Sequence, residues 1–117
     1  MGPQDFRKLV TTAHDAGMAA GNESAVQMLT VRNNDTSKVY EPFPICGFAW
    51  VHLRPATTAF ARWIKKQGIG GPAYGGGSQI WIHEFNQSYD RKLAYAHAYA
   101  SVLKEAGFNA YGCGRLD

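Results

Sequence analysis

Hydrophobic residues recur at two different periods along this chain, and the change of period separates helices from strands. Over residues 3–20 and 89–106 they recur every three or four positions, which predicts two amphipathic helices. The shorter run 59–67 predicts a third helix with Phe60, Trp63 and Ile64 facing inward. Alternating or continuous apolar runs predict strands over residues 25–32, 45–53, 79–85 and 109–115.

The predicted order is α-β-β-α-β-α-β, which indicates one small α/β domain over residues 1–117. Alternation of strands and helices favours crossovers and parallel strands. The first strand joins the second by a short loop, so it is expected to be antiparallel. The expected architecture is a four-stranded open mixed sheet with helices packed on it, with an α+β arrangement as the alternative. The alanine-rich helix of residues 1–22 either packs closely or docks loosely on the core of residues 23–117.

Composition is that of an ordinary globular domain, with 45% hydrophobic and 18% charged residues. The aromatic share of 13% exceeds what a small core needs, which favours rings at a surface or a homo-oligomer interface. No apolar run reaches the roughly 18 residues of a membrane span. A soluble, cytoplasmic protein without a membrane partner is therefore expected.

Charge and cysteine content constrain the ligands that the chain is expected to bind. The net charge of +3 permits an anionic partner without requiring one, and the low density of basic residues makes nucleic acid a possible but not favoured partner. Cys46 and Cys113 are too few for a zinc site or a disulfide framework, and we expect both to be small buried thiols. No metal or cofactor is predicted.

A Trp-x-His pattern occurs in two of the predicted strands. Trp50 and His52 share one face of their strand, as do Trp81 and His83 of theirs. If the strands are neighbours, the two pairs lie side by side. Three interpretations are open: core packing, a ligand face of indoles and imidazoles, or catalysis and metal binding.

A small phosphodiesterase using His52 and His83 as acid and base is the enzymatic alternative. Phosphoesterases of the two-histidine type also place a hydroxyl two residues after each histidine, and here those positions hold Arg54 and Phe85. Glu84 faces the other way on its strand, so three convergent metal ligands are not predicted. The pattern favours a non-enzymatic protein.

Basic and hydroxyl residues follow the predicted parallel strands. Ligands of open α/β sheets bind outside the carboxyl ends of the strands, where helices begin. That edge would carry Arg54, Ser88 and Arg115. From the first turn of the long helix, the amine of Lys92 would either reach the same edge or extend into water.

The glycine-rich segment 68–77 precedes a strand, whereas dinucleotide and phosphate loops follow one. It is predicted to be either a mobile flap carrying Tyr74 or a structural turn.

Four short sequence segments carry a resemblance to known proteins: FPICGFAWV, the glycines before QIWI, QSYDRK and AGFNAY. With these, residues 43–117 are similar to small proteins encoded by bacteriophages and prophages. The resemblance implies a phage context inside a bacterial cell and no transferable activity.

These observations favour a non-enzymatic phage protein that binds a nucleotide-like anionic ligand and sequesters a host defence signal. Aromatic rings would stack a base and basic side chains would meet phosphate. The candidate ligand-binding residues are Trp50, His52, Arg54, Tyr74, Trp81, His83, Ser88, Lys92 and Arg115. A protein-interaction module that inhibits a host enzyme is the alternative.

Overall fold

The computed structural model describes residues 1–25, 28–29 and 43–117. Its helices are α1 (Pro3–Glu23), α2 (Ala59–Lys66) and α3 (Tyr89–Glu105). Its strands are β1 (Met28–Leu29), β2 (Phe43–Pro44), β3 (Gly47–Arg54), β4 (Gly71–Pro72), β5 (Ser78–Trp81) and β6 (Asn109–Leu116). Most of the strand predicted over residues 25–32 lies outside the described residues, and Met28–Leu29 pairs with Phe43–Pro44 apart from the main sheet.

The main sheet has four strands in the order β4-β5-β3-β6, and helices pack on it as predicted. Its fourth strand is β4, from the glycine-rich segment, and not the predicted strand of residues 25–32. β6 forms one edge and pairs only with β3 among the described strands.

The expectation of parallel neighbours is wrong, because each described strand pairing is antiparallel. After α2 the chain forms the short β4–β5 hairpin, and this extra reversal makes β5 run opposite to β3. Strands β5 and β6 do run in the same direction, with α3 as their crossover. However, β3 lies between them in the sheet, so they are not neighbours.

The helix boundaries follow from capping chemistry. The Thr58 hydroxyl accepts a hydrogen bond from the Ala61 amide, and the Ser88 hydroxyl accepts one from the Arg91 amide. At the other end of α3, Gly107 takes a left-handed conformation with φ of +98°.

The core lies between one face of the sheet and the helices. Val51, Leu53 and Ile80 of the sheet are buried with Ala96 and Leu103 of α3. Helix α1 packs closely along α3, since its Gly17 faces the Tyr95 ring at a separation that no side chain would permit. Alternation along β3 sends the residues between these core positions to the opposite face.

The backbone of α3 comes very close to the sheet at Gly112 of β6. A methyl group at this position would lie 3.0 Å from the His97 backbone nitrogen and 3.1 Å from the Ala96 carbonyl carbon. These backbone atoms cannot rotate away as the end of a side chain can. The spacing between α3 and β6 therefore depends on glycine at this position.

We predict that Gly112→Ala lowers the free energy of unfolding by about 1–3 kcal/mol, because the added methyl group overpacks this contact. Urea denaturation with an unchanged m-value measures the loss. Gly71→Ala is the matched control, since a methyl group there meets nothing within 4 Å. Equal stability of the two variants would contradict the proposed close contact.

Candidate functional site

The face of the sheet opposite the buried core carries a continuous group of aromatic and basic side chains, here called the aromatic face. The register places Trp50 opposite Trp81, His52 opposite Tyr111, and Phe48 opposite Arg115. Its members are Phe48, Trp50, His52, Arg54, Gln79, Trp81, Asn109, Tyr111, Cys113 and Arg115. These outward positions include no carboxylate, so the described part of this face is basic.

Two indoles form the centre of the aromatic face. The rings of Trp50 and Trp81 stack with centroids 5.6 Å apart and an angle of 6° between their planes. Phe48 leans on Trp81 with a centroid separation of 5.8 Å. All three side chains stay half-exposed. The interpretation of this pair as sealed core packing is therefore not the one that the structure favours.

A second stacked pair lies further along β3. The rings of His52 and Tyr111 have centroids 5.1 Å apart and are nearly parallel, with an angle of 4° between their planes. The Arg54 Nε–H donates to His52 Nε2 at 3.0 Å, and the Gly76 carbonyl oxygen lies 3.1 Å from the same nitrogen. Because an arginine can only donate and a carbonyl oxygen can only accept, Nε2 forms one of these two hydrogen bonds at a time, either as the unprotonated acceptor from Arg54 or as the protonated donor to Gly76. His52 is 7% exposed, and its Nε2 already has Arg54 and Gly76 as neighbours.

The predicted grouping of basic side chains at one sheet edge is wrong. Arg54 ends β3, whereas Arg115 pairs with Phe48 near the start of β3. These positions are separated by ~20 Å at about 3.3 Å per residue. Antiparallel pairing causes this separation, because the carboxyl end of each strand lies beside the amino end of its neighbour. Both arginines still belong to the aromatic face, where the Arg115 guanidinium lies 5.3 Å from the Phe48 ring centre.

His83 does not lie beside His52, contrary to the expectation for two adjacent Trp–His rows. In the antiparallel register Gln79 faces His52, while His83 lies beyond the end of β5 and is exposed. The side-by-side arrangement predicted for the rows holds for the tryptophans alone.

Lys92 and Ser88 also lie away from the aromatic face. Lys92 is 5% exposed, and its Nζ donates to the Ile82 carbonyl oxygen at 2.8 Å. Burial lowers the pKa of this amine, and the nearby Glu84 carboxylate partly offsets that effect. The predicted reach of Lys92 toward a ligand edge is therefore wrong. The Ser88 hydroxyl is engaged in capping α3.

Tyr74 lies in the loop between β4 and β5 and is fully exposed. Gly75, Gly76 and Gly77 follow it with positive φ angles, which explains the local run of glycines. Gly77 also passes close to the His52 ring and the Leu53 carbonyl. The loop therefore covers one end of the aromatic face.

A cavity of about 260 Å³ lies beside β5 and was not found from the sequence. It is here called the edge cavity. It is lined by Val10, His14, Gly68, Ile69, Ile80, Trp81, Ile82, His83, Glu84, Tyr95 and Tyr99. Tyr95 and Tyr99 are one turn apart on α3, which is a detectable spacing. His14 and Glu84 come from distant segments, so no local pattern could have placed them there.

The polar side chains of the edge cavity form a hydrogen-bonded group. Tyr95 Oη lies 2.6 Å from His14 Nδ1 and 3.4 Å from Glu84 Oε2. His14 Nδ1 and Glu84 Oε2 are themselves 3.6 Å apart. Burial, reinforced by the Glu84 charge, raises the pKa of both Tyr95 and Tyr99 well above the ordinary range. Both phenols therefore stay protonated at neutral pH.

The turn that carries Glu84 has an unusual backbone. Phe85 and Asn86 both have positive φ angles, of 67° and 52°. A left-handed conformation is unfavourable for a bulky residue such as phenylalanine. The Phe85 ring packs against Gly21 of α1 and the Tyr95 ring, and these contacts hold the turn in place.

The cysteines differ from the sequence expectation, since Cys46 is exposed and Cys113 is only half-buried. Within residues 1–25, 28–29 and 43–117, no three potential metal ligands cluster together. None of the described helices is long and apolar enough to cross a membrane. No protein-family model matches this chain, and comparison with curated proteins and with solved structures finds no match.

We predict that the raised pKa values of Tyr95 and Tyr99 make the protein less stable in strong alkali. Both phenols ionise near pH 10 in the unfolded chain but at higher pH in the folded one. Their contribution is thus complete below about pH 10 and is lost as pH rises further. The expected slope is up to about 1.4 kcal/mol per pH unit for each tyrosine.

Urea denaturation between pH 8 and pH 11 tests this on the double variant Tyr95→Phe and Tyr99→Phe. The variant should lack the part of the stability loss at alkaline pH that these phenols cause. Titration of Lys92 affects the stability of both proteins. Parallel stability curves for the variant and the wild type above about pH 10 would contradict the prediction.

Proposed function

We propose that the aromatic face binds a nucleotide-like anionic ligand without catalysing a reaction. The observation that carries this proposal is the stacked pair of Trp50 and Trp81, half-exposed on a face that bears Arg54 and Arg115. Aromatic rings offer every base a stacking surface, and arginine donates to phosphate. The absence of carboxylates among the described outward positions removes a source of repulsion.

The tryptophans are held in a fixed orientation before any ligand arrives. Each indole covers one face of the other, and Phe48 supports Trp81 from the side. Among the described rings only Trp81 contacts Trp50, and Cys113 lies opposite Trp50 on the other neighbouring strand. The exposed parts of the two indoles are the stacking surface offered to a base. Stacking of this kind contributes roughly 1–3 kcal/mol per base. Rings that are already ordered lose little further entropy on binding.

The separation of the arginines favours a particular form of anionic ligand. Arg54 and Arg115 lie ~20 Å apart along β3, so one phosphate group contacts only one of them. A short single-stranded oligonucleotide presents several phosphates along its length and can meet both. This spacing outweighs the low overall charge density, which had made nucleic acid the less favoured partner.

The phosphodiesterase alternative has less support from the geometry. It needs two convergent histidines. His52 Nε2 is already in contact with Arg54 Nε and the Gly76 carbonyl oxygen. His52 pairs with Gln79 near the start of β5, whereas His83 lies after the end of β5. Sequestration of a host defence signal, inhibition of a host enzyme and homo-oligomer formation stay predictions, as does the phage context.

We predict that fluorescence anisotropy detects binding of a labelled single-stranded oligodeoxynucleotide of about eight nucleotides. Trp81→Ala should weaken this binding about tenfold or more, because one stacking surface is lost. A cyclic dinucleotide and a mononucleotide, added as competitors, compare the ligand sizes. We expect both to compete poorly, because neither spans the two arginines.

The arginine contribution is tested by the salt dependence of the same binding. Arg115→Ala should reduce the slope of log affinity against log salt by about one. Arg7→Ala is the matched control, because Arg7 lies over the Trp63 ring at 5.2 Å, away from the aromatic face. Equal effects of the two substitutions, or no binding by any of the three nucleotides, would rule out the proposal.

A further inference from the structure

We propose that the edge cavity is a separate binding site for a small uncharged molecule with an apolar body and one hydroxyl or primary amide group. The cavity lies where β5 runs beyond its short partner β4, and α1 closes it with Val10 and His14. It shares Trp81 with the aromatic face but differs from that face in chemistry, since its charged member is a carboxylate and not an arginine.

The hydroxyl of Tyr99 is the observation that points to a ligand. Tyr99 is 2% exposed and lines the edge cavity, and its Oη has no hydrogen-bond partner in the described part of the chain. Buried polar groups are almost always paired, because water is no longer available to them. Burial raises the pKa of Tyr99, so its hydroxyl keeps its proton and can donate to a ligand oxygen.

The Glu84 carboxylate supplies a complementary acceptor. Its Oε1 accepts from the His83 amide at 3.1 Å, and its Oε2 lies within reach of the Tyr95 hydroxyl. These contacts hold the carboxylate in position and leave it with unused lone pairs. Tyr99 packs beside Tyr95 with ring centroids 5.8 Å apart, and both tyrosines line the same cavity as Glu84. A hydroxyl or primary amide can accept from Tyr99 and donate to Glu84 at the same time.

The remaining lining sets the size and charge of the molecule. Val10, Ile69, Ile80 and Ile82 make much of the wall apolar, which suits a hydrocarbon body. Glu84 is the carboxylate among the lining residues, and it disfavours an anion in the cavity. An engineered cavity of about 150 Å³ holds benzene. The edge cavity, at about 260 Å³, has room for one ring with a polar substituent.

Phenol and benzamide are suitable probes, with toluene and benzoate as controls of similar size. Toluene lacks the polar group and benzoate carries a negative charge. Each is titrated into the isotope-labelled full chain and followed by amide chemical shifts. We expect phenol and benzamide to shift the amides of Gly68, Ile69 and Ile82, with dissociation constants about tenfold below those of toluene and benzoate.

The variant Tyr99→Phe tests the hydroxyl directly. It should weaken phenol binding about tenfold and leave toluene binding unchanged. Tyr89→Phe makes the same chemical change on α3 at a residue outside the cavity lining and should alter neither. In the unliganded protein, Tyr99→Phe should melt at the same temperature as the wild type or higher, because the lost hydroxyl has no described partner.

Several results would overturn the proposal. One is the absence of shifts in the cavity amides with each of the four probes. Another is equal affinity for phenol and toluene, or equal phenol affinity of Tyr99→Phe and the wild type. A lower melting temperature for Tyr99→Phe than for Tyr89→Phe would mean that ordered water alone satisfies the hydroxyl. None of these results depends on nucleotide binding, so the two sites are judged separately.

Discussion

The close contact between α3 and the sheet is the constraint on which the other features depend. Gly112 allows the α3 backbone to approach β6, and Gly114 leaves room for the Leu93 and Tyr89 side chains of the same helix. This contact fixes the rotation of α3, so that Ala96 and Leu103 face the sheet while Tyr95 and Tyr99 face the edge cavity. The helices thus lie on one side of β3, and its alternate residues form the aromatic face. Both candidate sites follow from this one arrangement.

The sequence predicted local structure well, because each signal came from neighbouring residues. The helical periods match the observed elements closely, since α3 spans Tyr89–Glu105 where a helix was predicted over residues 89–106. The face shared by Trp50 and His52 follows from strand alternation alone. These features do not require knowledge of which strand lies beside which.

Strand direction and long-range grouping could not be obtained in the same way. The β4–β5 hairpin is only two residues deep on the β4 side, too short to give a strand pattern. Because this hairpin was not predicted, the expected direction of β5 was opposite to the observed one. The expected positions of His83, and of Arg54 relative to Arg115, were therefore wrong. Lys92 is a second kind of error, because its burial depends on the Ile82 carbonyl as an acceptor. The hydrogen-bonded side chains of the edge cavity, His14, Tyr95 and Glu84, come from α1, α3 and the turn after β5. Contacts between such distant segments leave no local pattern in the sequence.

The position of β6 has a consequence for how two copies of this chain would associate. Among the described strands, β6 is eight residues long and pairs with β3 on one flank only, so the amides and carbonyls along its other flank have no described strand partner. Alignment of two such flanks would merge two sheets into one continuous surface. Tyr111 and Arg115 of each copy would then stand next to the seam, and the basic strip would double in length without any change in either interior.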